Sequence, residues 1–377
     1  MQLALREMRR AKTRFGLLIA AVALLVFLIL AQQAIQTGLI TSFVGALREQ
    51  SAPVIVYSTD GQRALQGSIV PPPLEAQIRG VEGAAAAGRI GQGTFTVRVE
   101  GDDDLSDAAI IGAEDRSVGG IEEVDEGRPV ERPGEAVGST GDFEIGDRVQ
   151  VVAVGVAGAG EGPVLEVVGL VRGAQIQVTP TLFTTWDDHV AATQTVNPEA
   201  PTVLPNAIGL RPEDGITAAE LAARVNDLTE EADALTRDEA AREAPGVAQV
   251  QQSFQIIFLL FALVVPLVTG LFFLIITFQK SASLTLLRAI GIRGGALVRS
   301  LLVQVVVVIG GGLVLGTLLY LPLTRVEVGS LVLRFDGAAV GVWSALLLVL
   351  GLLSALVAAR RVLKIDPYEA TVGGGAR

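Results

Sequence analysis

The sequence of 377 residues predicts an α-helical membrane protein with four transmembrane helices plus a mixed α/β extracytoplasmic domain on helical stalks. Three observations predict this fold class. Four apolar runs come close to or exceed the roughly 20 residues that a helix needs to cross a bilayer. The long segment between the first and second runs is polar and acidic. Basic residues gather in the short segments that flank the runs, as they do on the cytoplasmic side of membrane proteins.

The apolar runs and the polar segments between them divide the chain into a series of predicted parts. These are a cytoplasmic N-terminus (1–14), transmembrane helix 1 (15–31), a stalk helix (32–52), the extracytoplasmic α/β domain (53–212), a stalk helix region (213–252), transmembrane helix 2 (253–278), a cytoplasmic loop (279–299), transmembrane helix 3 (300–323), a short outer loop (324–337), transmembrane helix 4 (338–359) and a cytoplasmic tail (360–377).

The first run is predicted to be an uncleaved anchor that continues as a helix. It follows a basic leader, but no A-x-A cleavage site precedes the polar Gln32 and Gln33. Beyond it, residues 31–48 contain no proline, and apolar side chains recur at near-helical spacing until Pro53. We therefore expect a stalk helix that leaves the membrane without a break.

Charge fixes the expected orientation. The segment from Arg48 to Gln252 contains 14 Arg, no Lys and 35 acidic residues, whereas the loop after the second run contains Lys280, Arg288, Arg293 and no acid. Short basic loops stay in the cytoplasm. We therefore expect a multi-pass protein of the cell (inner or cytoplasmic) membrane, with both termini cytoplasmic and the large domain extracytoplasmic. An acidic domain also argues against nucleic acid as a partner.

Within the polar segment, strand-like and helix-like patterns alternate. Strands are predicted near residues 54–57, 94–99, 108–112, 148–154 and 164–171, with a short helix at 74–79. A long helix is predicted over 216–244, because Thr217 can cap it with Glu220 three residues on, and a helical apolar stripe follows. This helix forms the second stalk.

The apolar runs contain glycines but no ionisable residues. Gly312 with Gly316, and Gly337 with Gly341, have the small-xxx-small spacing that lets helix backbones approach closely, so these four are predicted helix-packing residues. Ionisable residues at depth mark ion and proton pathways. Their absence from the runs argues against an ion-coupled carrier or an ion channel.

No motif in the sequence supports an enzyme. None of the three lysines follows a glycine, so no P-loop exists, and the chain has no cysteine. The single histidine, His189, is not expected to bind zinc, because the chain has no second histidine and no cysteine to complete a zinc site. It is expected to be a surface or structural residue. Asp102, Asp104 and Asp107 lack the EF-hand pattern. We expect no catalytic, cofactor-binding or metal site and no enzyme activity in this chain.

The cytoplasmic loop carries the most informative motif. Residues 279–293 read QKSASLTLLRAIGIR, residues 359–370 read ARRVLKIDPYEA, and Gly146-Asp147-Arg148-Val149 precedes a Val167-Val168-Gly169 strand. In order and spacing these segments resemble the MacB/FtsX-type ABC permeases, and the start of the chain resembles the DevC-like members. The resemblance covers nearly the whole layout. Ser283 stands where the family often has a glutamate before L-L-R, which puts an acidic contact to the ATPase in doubt.

That resemblance implies a permease subunit of an ABC export or mechanotransmission complex. The implied partners are a P-loop ABC ATPase subunit, a second permease copy or paralogue, membrane lipid, and a periplasmic or extracellular adaptor. No cofactor is expected in this chain, because ATP binds the partner ATPase. The implied ATPase-coupling residues are Ser283, Leu287, Arg288, Ala289, Ile290, Gly291 and Arg293.

Two other classes of function stay open at the level of sequence. One is an FtsX-like membrane regulator that controls an extracytoplasmic cell-wall hydrolase, which would share the coupling loop but have a much smaller outer domain. The other is a membrane-anchored binding or scaffold protein without an ATPase.

Overall fold

The computed structural model describes residues 12–102, 104–154, 162–199, 202–279, 294–323 and 337–363. The chain divides into two compact units. Among the described residues, 12–36, 252–279, 294–323 and 337–363 form one, here called the helical unit. Residues 37–102, 104–154, 162–199 and 202–251 form the other, here called the α/β unit.

The helical unit is built from long apolar helices. Its described helices are α1 (Lys12–Glu49), α6 (Val247–Gln279), α7 (Gly294–Leu323) and α8 (Gly337–Leu363), of which α1 and α6 also extend into the α/β unit. By length and composition, α1, the stretch Val247–Val264 of α6 and the stretch Leu302–Leu323 of α7 can cross a membrane. In α8 the described apolar stretch, Gly337–Leu353, is shorter. Three of the four predicted spans therefore reach spanning length among the described residues.

Apolar side chains cover most faces of these helices, and only part of that surface is buried within the unit. Phe15 and Leu18 of α1 pack with Val308 of α7 in a small core. On α6, Leu259, Leu263 and Leu267 are each about 70% exposed. A helix that is apolar all round suits apolar surroundings, so these faces fit lipid or another helix better than water.

The α/β unit contains ten strands and four shorter helices in its described residues. In chain order they are β1 (Val54–Ser58), α2 (Pro72–Arg79), β2 (Ala84–Val99), β3 (Leu105–Ala113), β4 (Glu126–Gly127), β5 (Glu135–Ser139), β6 (Arg148–Val151), β7 (Val164–Val171), β8 (Thr181–Thr185), α3 (Trp186–Val196), β9 (Ala207–Pro212), α4 (Ala218–Leu228), β10 (Ala232–Thr236) and α5 (Arg237–Glu243).

The strands form one sheet that closes on itself at one end. Its order is β10-β1-β9-β2-β3-β8-β5-β7-β4, and β6 pairs with both β2 and β7. The pairings among β2, β3, β8, β5, β7 and β6 therefore make a closed ring of six strands. Strand β2 is 16 residues long and belongs to both parts, because its first half pairs with β9 and its second half with β3 and β6.

Side-chain alternation gives each part its own core. Inside the ring, residues two apart on each strand point inward, such as Val149 with Val151 and Leu165 with Val167. On β1, Val54 and Val56 face helices α2 and α4, whereas Ile55 and Tyr57 face the other side of the sheet, where the end of α1 packs. The mixed α/β class predicted for this segment is confirmed.

The predicted second stalk helix over 216–244 is wrong. The structure has helix α4, strand β10 and helix α5 there, and α6 begins only at Val247. Strand β10 exists because it pairs antiparallel with all five residues of β1. Thr236 and Glu239 form a second capping box, which starts α5. That T-x-x-E pattern was the signal in the sequence for a new helix start.

Candidate functional site

The predicted ATPase-coupling residues lie outside the described residues. Residues 280–293, which include Ser283, Leu287, Arg288, Ala289, Ile290, Gly291 and Arg293, are all in this segment. Their assignment remains a prediction from the resemblance. The flanking helices α6 and α7 are described up to Gln279 and from Gly294.

The structure places the predicted packing glycines in different surroundings. On α7, a Cβ atom at Gly312 would overlap Val22 of α1, and one at Gly316 would lie 2.7 Å from the carbonyl oxygen of Ala23. Both glycines therefore lie against the backbone of α1. Gly341 has no atom within 4 Å of its Cβ position, and Gly337 is the first residue of α8.

Three further contacts join helices of this unit and were not predicted. Gly351 of α8 lies against Ile309 of α7. The indole Nε1–H of Trp343 donates a hydrogen bond to Oε1 of Gln33, at 3.4 Å, and its ring lies 5.0 Å from that of Phe258. A tryptophan beside the polar end of an apolar helix is typical of a membrane interface, which is the signal that sequence reasoning missed.

The α/β unit has a cavity of about 580 Å³. Its lining combines apolar, aromatic and charged groups from β2, the end of β3 and the turn after it, the loop before β5, β8 and the start of α3. Among them are Arg89, Glu114, Arg116, Val130, Pro133 and Trp186. The guanidinium of Arg89 lies 5.8 Å from the ring centroid of Trp186, which is within the range of a cation–π contact. The neighbouring loop is held by Arg116, which donates to the carbonyl of Val130 at 3.2 Å.

Two charged residues of the cavity lining, Arg89 and Glu114, belong to a network that also includes Glu75 and Arg79. Glu75 accepts hydrogen bonds from Arg79 at 2.9 Å and Arg89 at 2.7 Å, and Glu114 also accepts from Arg79. Burial alone would raise the pKa of Glu75, but the hydrogen bonds from Arg89 and Arg79 outweigh it and hold that pKa below its ordinary value. The network therefore holds Arg89 and Glu114 in place at the cavity.

Glu135 anchors the loop that covers the cavity. Its carboxylate accepts two hydrogen bonds from Arg128, at 2.8 and 2.6 Å, one from Arg132 at 2.7 Å and one from the backbone N–H of Glu131 at 3.0 Å. The bonds from Arg128 are the largest cause that lowers the pKa of this buried carboxyl, against burial, which raises it. The backbone N–H of Gly134 also donates to buried Asp188.

His189 is a buried structural residue. It is 3% exposed, its ring lies between those of Trp186 and Phe95, and Gly91 and Gly112 leave the space that it fills. Burial lowers the pKa of His189 to about 4, so the ring is neutral at pH 7. Among the described residues there is no group of three or more histidine, cysteine or acidic side chains that could hold a metal.

Comparison with known proteins gives two curated relatives, and no family model matches the chain. Both relatives are named putative hemin transport system permease protein HrtB. The Staphylococcus epidermidis protein is 26% identical over 113 residues, which are 30% of this chain and 32% of that protein. The Staphylococcus haemolyticus protein is 31% identical over 111 residues, which are 29% and 31% of the two. The match therefore spans about a third of the length of these relatives.

Solved structures give weaker likenesses. The periplasmic region of MacB from Actinobacillus actinomycetemcomitans has a TM-score of 0.35 at 9% identity, covering 51% of this chain and 92% of that one. The extracellular domain of the noncanonic ABC-type transporter YknZ from Gram-positive bacteria has a TM-score of 0.31 at 13% identity, covering 48% and 99%. TM-scores below 0.5 at these identities establish neither a shared fold nor a shared function.

Over about 30% of its length, the chain is thus similar to proteins that are named as transport system permeases. Within that class, the resemblance to the MacB/FtsX-type permeases that the sequence motifs predict is confirmed.

Proposed function

We propose that this chain is the permease subunit of an ABC export or mechanotransmission complex, coupling ATP hydrolysis by a separate subunit to movement of its α/β unit outside the cytoplasm. One observation carries the mechanism. The chain passes from one unit to the other at residues 36–37 and 251–252, and both points lie inside helices, α1 and α6. A continuous helix is held by hydrogen bonds along its axis, so it can pass on a displacement that a flexible loop would absorb.

The composition of the apolar runs argues against an ion- or proton-coupled pathway through the membrane. The four apolar runs contain no ionisable residue, and ionisable residues at depth are the usual mark of ion and proton pathways. No lysine in this sequence is preceded by glycine, so these residues contain no P-loop, and we propose that the motor belongs to another subunit. The proposed partners are thus a P-loop ABC ATPase, a second permease copy or paralogue, lipid and an extracytoplasmic adaptor.

The substrate is a separate proposal. Hemin, which is part of the name of the two curated relatives, is one candidate. The only histidine of this chain is buried and neutral, so hemin would need other ligands. We therefore test hemin in a separate series of the functional assay. The proposed coupling role does not depend on the result of that series.

The test is the ATPase activity of the proposed partner, a P-loop ABC ATPase, reconstituted in lipid nanodiscs with and without this chain. We expect stimulation by the wild type, and its loss with Arg288→Glu and with Ile290→Asp, because the first reverses a charge and the second puts a carboxylate on the apolar face of the proposed coupling helix. Hemin is added in a parallel series.

The matched control is Arg288→Lys. It keeps the positive charge that holds a loop in the cytoplasm but loses the planar, bidentate geometry of a guanidinium. Stimulation that falls in R288K as well points to a specific contact with the ATPase. If R288K still stimulates the ATPase and R288E does not, then a positive charge at this position is sufficient for stimulation. If no complex forms with the wild type, the transporter proposal is wrong.

A further inference from the structure

The end of α1 is engaged from the side by the loop that joins β7 to β8. The backbone N–H of Ala46 donates to the carbonyl of Gln175 at 2.9 Å. In return, Gln177 donates to the carbonyl of Phe43 at 3.0 Å, and Val178 donates to that of Ser42 at 2.8 Å. In an ideal α-helix, the N–H of Ala46 pairs with the carbonyl of Ser42. Here each of these two groups has a partner in the loop, so the loop binds to the backbone ladder of the helix itself.

Glycine makes this approach possible. A Cβ atom at Gly45 would overlap the carbonyl group of Gly173, so no larger residue fits without moving the loop. On the loop, Gln177 and Val178 have φ angles of 52° and 62°. A β-branched residue in this left-handed region is strained, and such strain persists only where the surroundings impose it. The backbone hydrogen bonds to α1 supply that constraint.

The same loop is tied to two strands of the six-stranded ring. The N–H of Ile176 donates to Oγ1 of Thr181, the first residue of β8, at 3.1 Å. The N–H of Thr181 donates at 3.0 Å to Oγ of Ser139, the last residue of β5. Asp142 accepts from Ser139 at 2.6 Å and also from the side chain of Gln175. Ser139 and Thr181 are fully buried, so water does not compete for these bonds.

The start of α6 reaches the same place. Gly246, with a φ of 89°, lies beside the ring of Phe43, which would be 3.5 Å from a Cβ atom at that glycine. The next residue, Val247, is buried in the same core as Val44 and Ile176. Both helices that leave the α/β unit therefore meet its interior next to the loop between β7 and β8.

We infer that the contact between Ser42–Ala46 of α1 and the loop 173–178 is a rigid joint that passes displacement of α1 to strands β5 and β8, with Gly45 and Gly173 as its positioning residues. The inference rests on the proposed function in one respect, because ATP hydrolysis by the partner is what would displace α1. The joint itself rests on the hydrogen bonds, the glycine contact and the strained backbone.

A cross-link tests whether the joint stays closed. Val44 and Ile176 form an antiparallel bridge and are both buried, and the chain has no cysteine of its own. Paired residues of this kind are close enough for a disulfide. In the full-length V44C/I176C chain, reconstituted with the ATPase, we expect equal cross-linking with and without a non-hydrolysable ATP analogue. Hydrogen exchange of β5 and β8 should still respond to the analogue after oxidation. Cross-linking that drops with the analogue, or a response abolished by oxidation, would overturn the inference.

Gly45→Ala tests the positioning role, with Gly16→Ala as the matched control on the same helix, because a Cβ atom at Gly16 meets nothing within 4 Å. In the nucleotide-free chain we expect G45A to speed exchange at least tenfold in residues 173–182 and in β5, with β1 and β10 unchanged. G16A should match the wild type. Faster exchange confined to 173–178, or none, would contradict the joint.

The exchange measurement on G45A needs no ATPase. It therefore distinguishes a failure of the inferred joint from a failure of the proposed function. A wild-type chain that binds and stimulates no ATPase refutes the proposed function. The nucleotide-free exchange of G45A still decides whether α1 and the ring are coupled. If G45A should misfold as a whole, β1 and β10 would lose protection too, and the V44C/I176C cross-link then decides alone.

Discussion

Single residues of the α/β unit have roles that depend on tertiary contacts, and Glu135 is the clearest case. Its side chain is 5% exposed and binds two arginines and a backbone N–H. Nothing in the sequence pattern sets this residue apart from the other acidic residues nearby. Partners such as Arg128 and Arg132 are close in sequence, but their convergence on one carboxylate needs the turn that precedes β5.

Replacing Glu135 with glutamine should destabilise the α/β unit in a pH-dependent way. At pH 7 we expect a loss of about 1–2 kcal/mol, because charge-assisted hydrogen bonds become neutral ones. A carboxyl whose pKa is lowered by folding stabilises the protein above its unfolded pKa, and that stability is lost as pH falls toward the folded pKa. The difference between wild type and E135Q should therefore shrink as pH falls below the ordinary value of 4.5.

Urea unfolding of the full-length chain in nanodiscs measures this difference through Trp186. The chain has two tryptophans, so a Trp343→Phe background isolates the signal. Glu131→Gln is the control, because the Glu131 side chain is 65% exposed and its carboxylate makes only a 3.8 Å contact with Arg128. A pH-independent difference between wild type and E135Q would show that the charge of Glu135 does not matter.

Glycines show how far residue-level prediction from sequence can go. Gly312 and Gly316 lie against α1, whereas Gly341 has the same spacing to Gly337 but open space at its Cβ position. Spacing places two small residues on one face of a helix. It does not tell whether another helix meets that face, because that depends on how the helices are arranged in three dimensions.

At the scale of elements, strands and caps were easier to predict than the boundary between one helix and the next. The predicted strands near 94–99, 108–112 and 164–171 all appear, in β2, β3 and β7. The apolar residues of segment 216–244 have helical spacing, yet β10 divides the segment, because these residues pair with the free edge of β1. Local pattern does not contain this long-range requirement, which comes from residues far earlier in the chain.

Strand β10 is an edge strand in the sheet order, and its outer side is covered by a side chain. Asn226 of α4 donates to the carbonyl of Ala234 at 3.0 Å and accepts from its N–H at 2.8 Å. One amide group thus takes the place of a neighbouring strand. The capping box adds to this cover, because the N–H of Thr236 donates to Glu239 at 3.0 Å. Exposed strand edges invite pairing with another chain, and natural proteins block them.

Asn226→Ala should open this edge. We expect a loss of about 1 kcal/mol in stability, because two backbone groups exchange a protein partner for water, and increased self-association through strand pairing. The stability of Asn226→Asp should lie between that of the wild type and that of N226A, since aspartate keeps the acceptor but not the donor. Thermal unfolding and analytical ultracentrifugation of the full chain in detergent measure both effects. Asp227→Ala, at an exposed neighbouring position, is the control, and equal behaviour of N226A and D227A would refute the role.

At the scale of the whole molecule, charge is divided between segments far more sharply than in an average protein. Residues from Arg48 to Gln252 contain 35 acidic residues and no lysine, and all three lysines of the chain lie in short segments that flank apolar runs. The α/β unit contains nearly all of the acidic segment. The orientation of a membrane protein depends on positive charge in short loops and depends little on acidic residues in long domains, so this division is consistent with the proposed position of the α/β unit outside the cytoplasm.

This division predicts which side of the membrane each part occupies. The absence of native cysteine lets single cysteines report position, with Asp60→Cys in an exposed turn of the α/β unit and Ser281→Cys in the basic loop. We expect a membrane-impermeant maleimide to label D60C in intact cells and S281C only after permeabilisation. Reversing Lys280, Arg288 and Arg293 to glutamate should weaken that preference, because these charges hold the loop inside. Labelling of S281C in intact cells would place the basic loop outside, and no ATPase in the cytoplasm could then contact it.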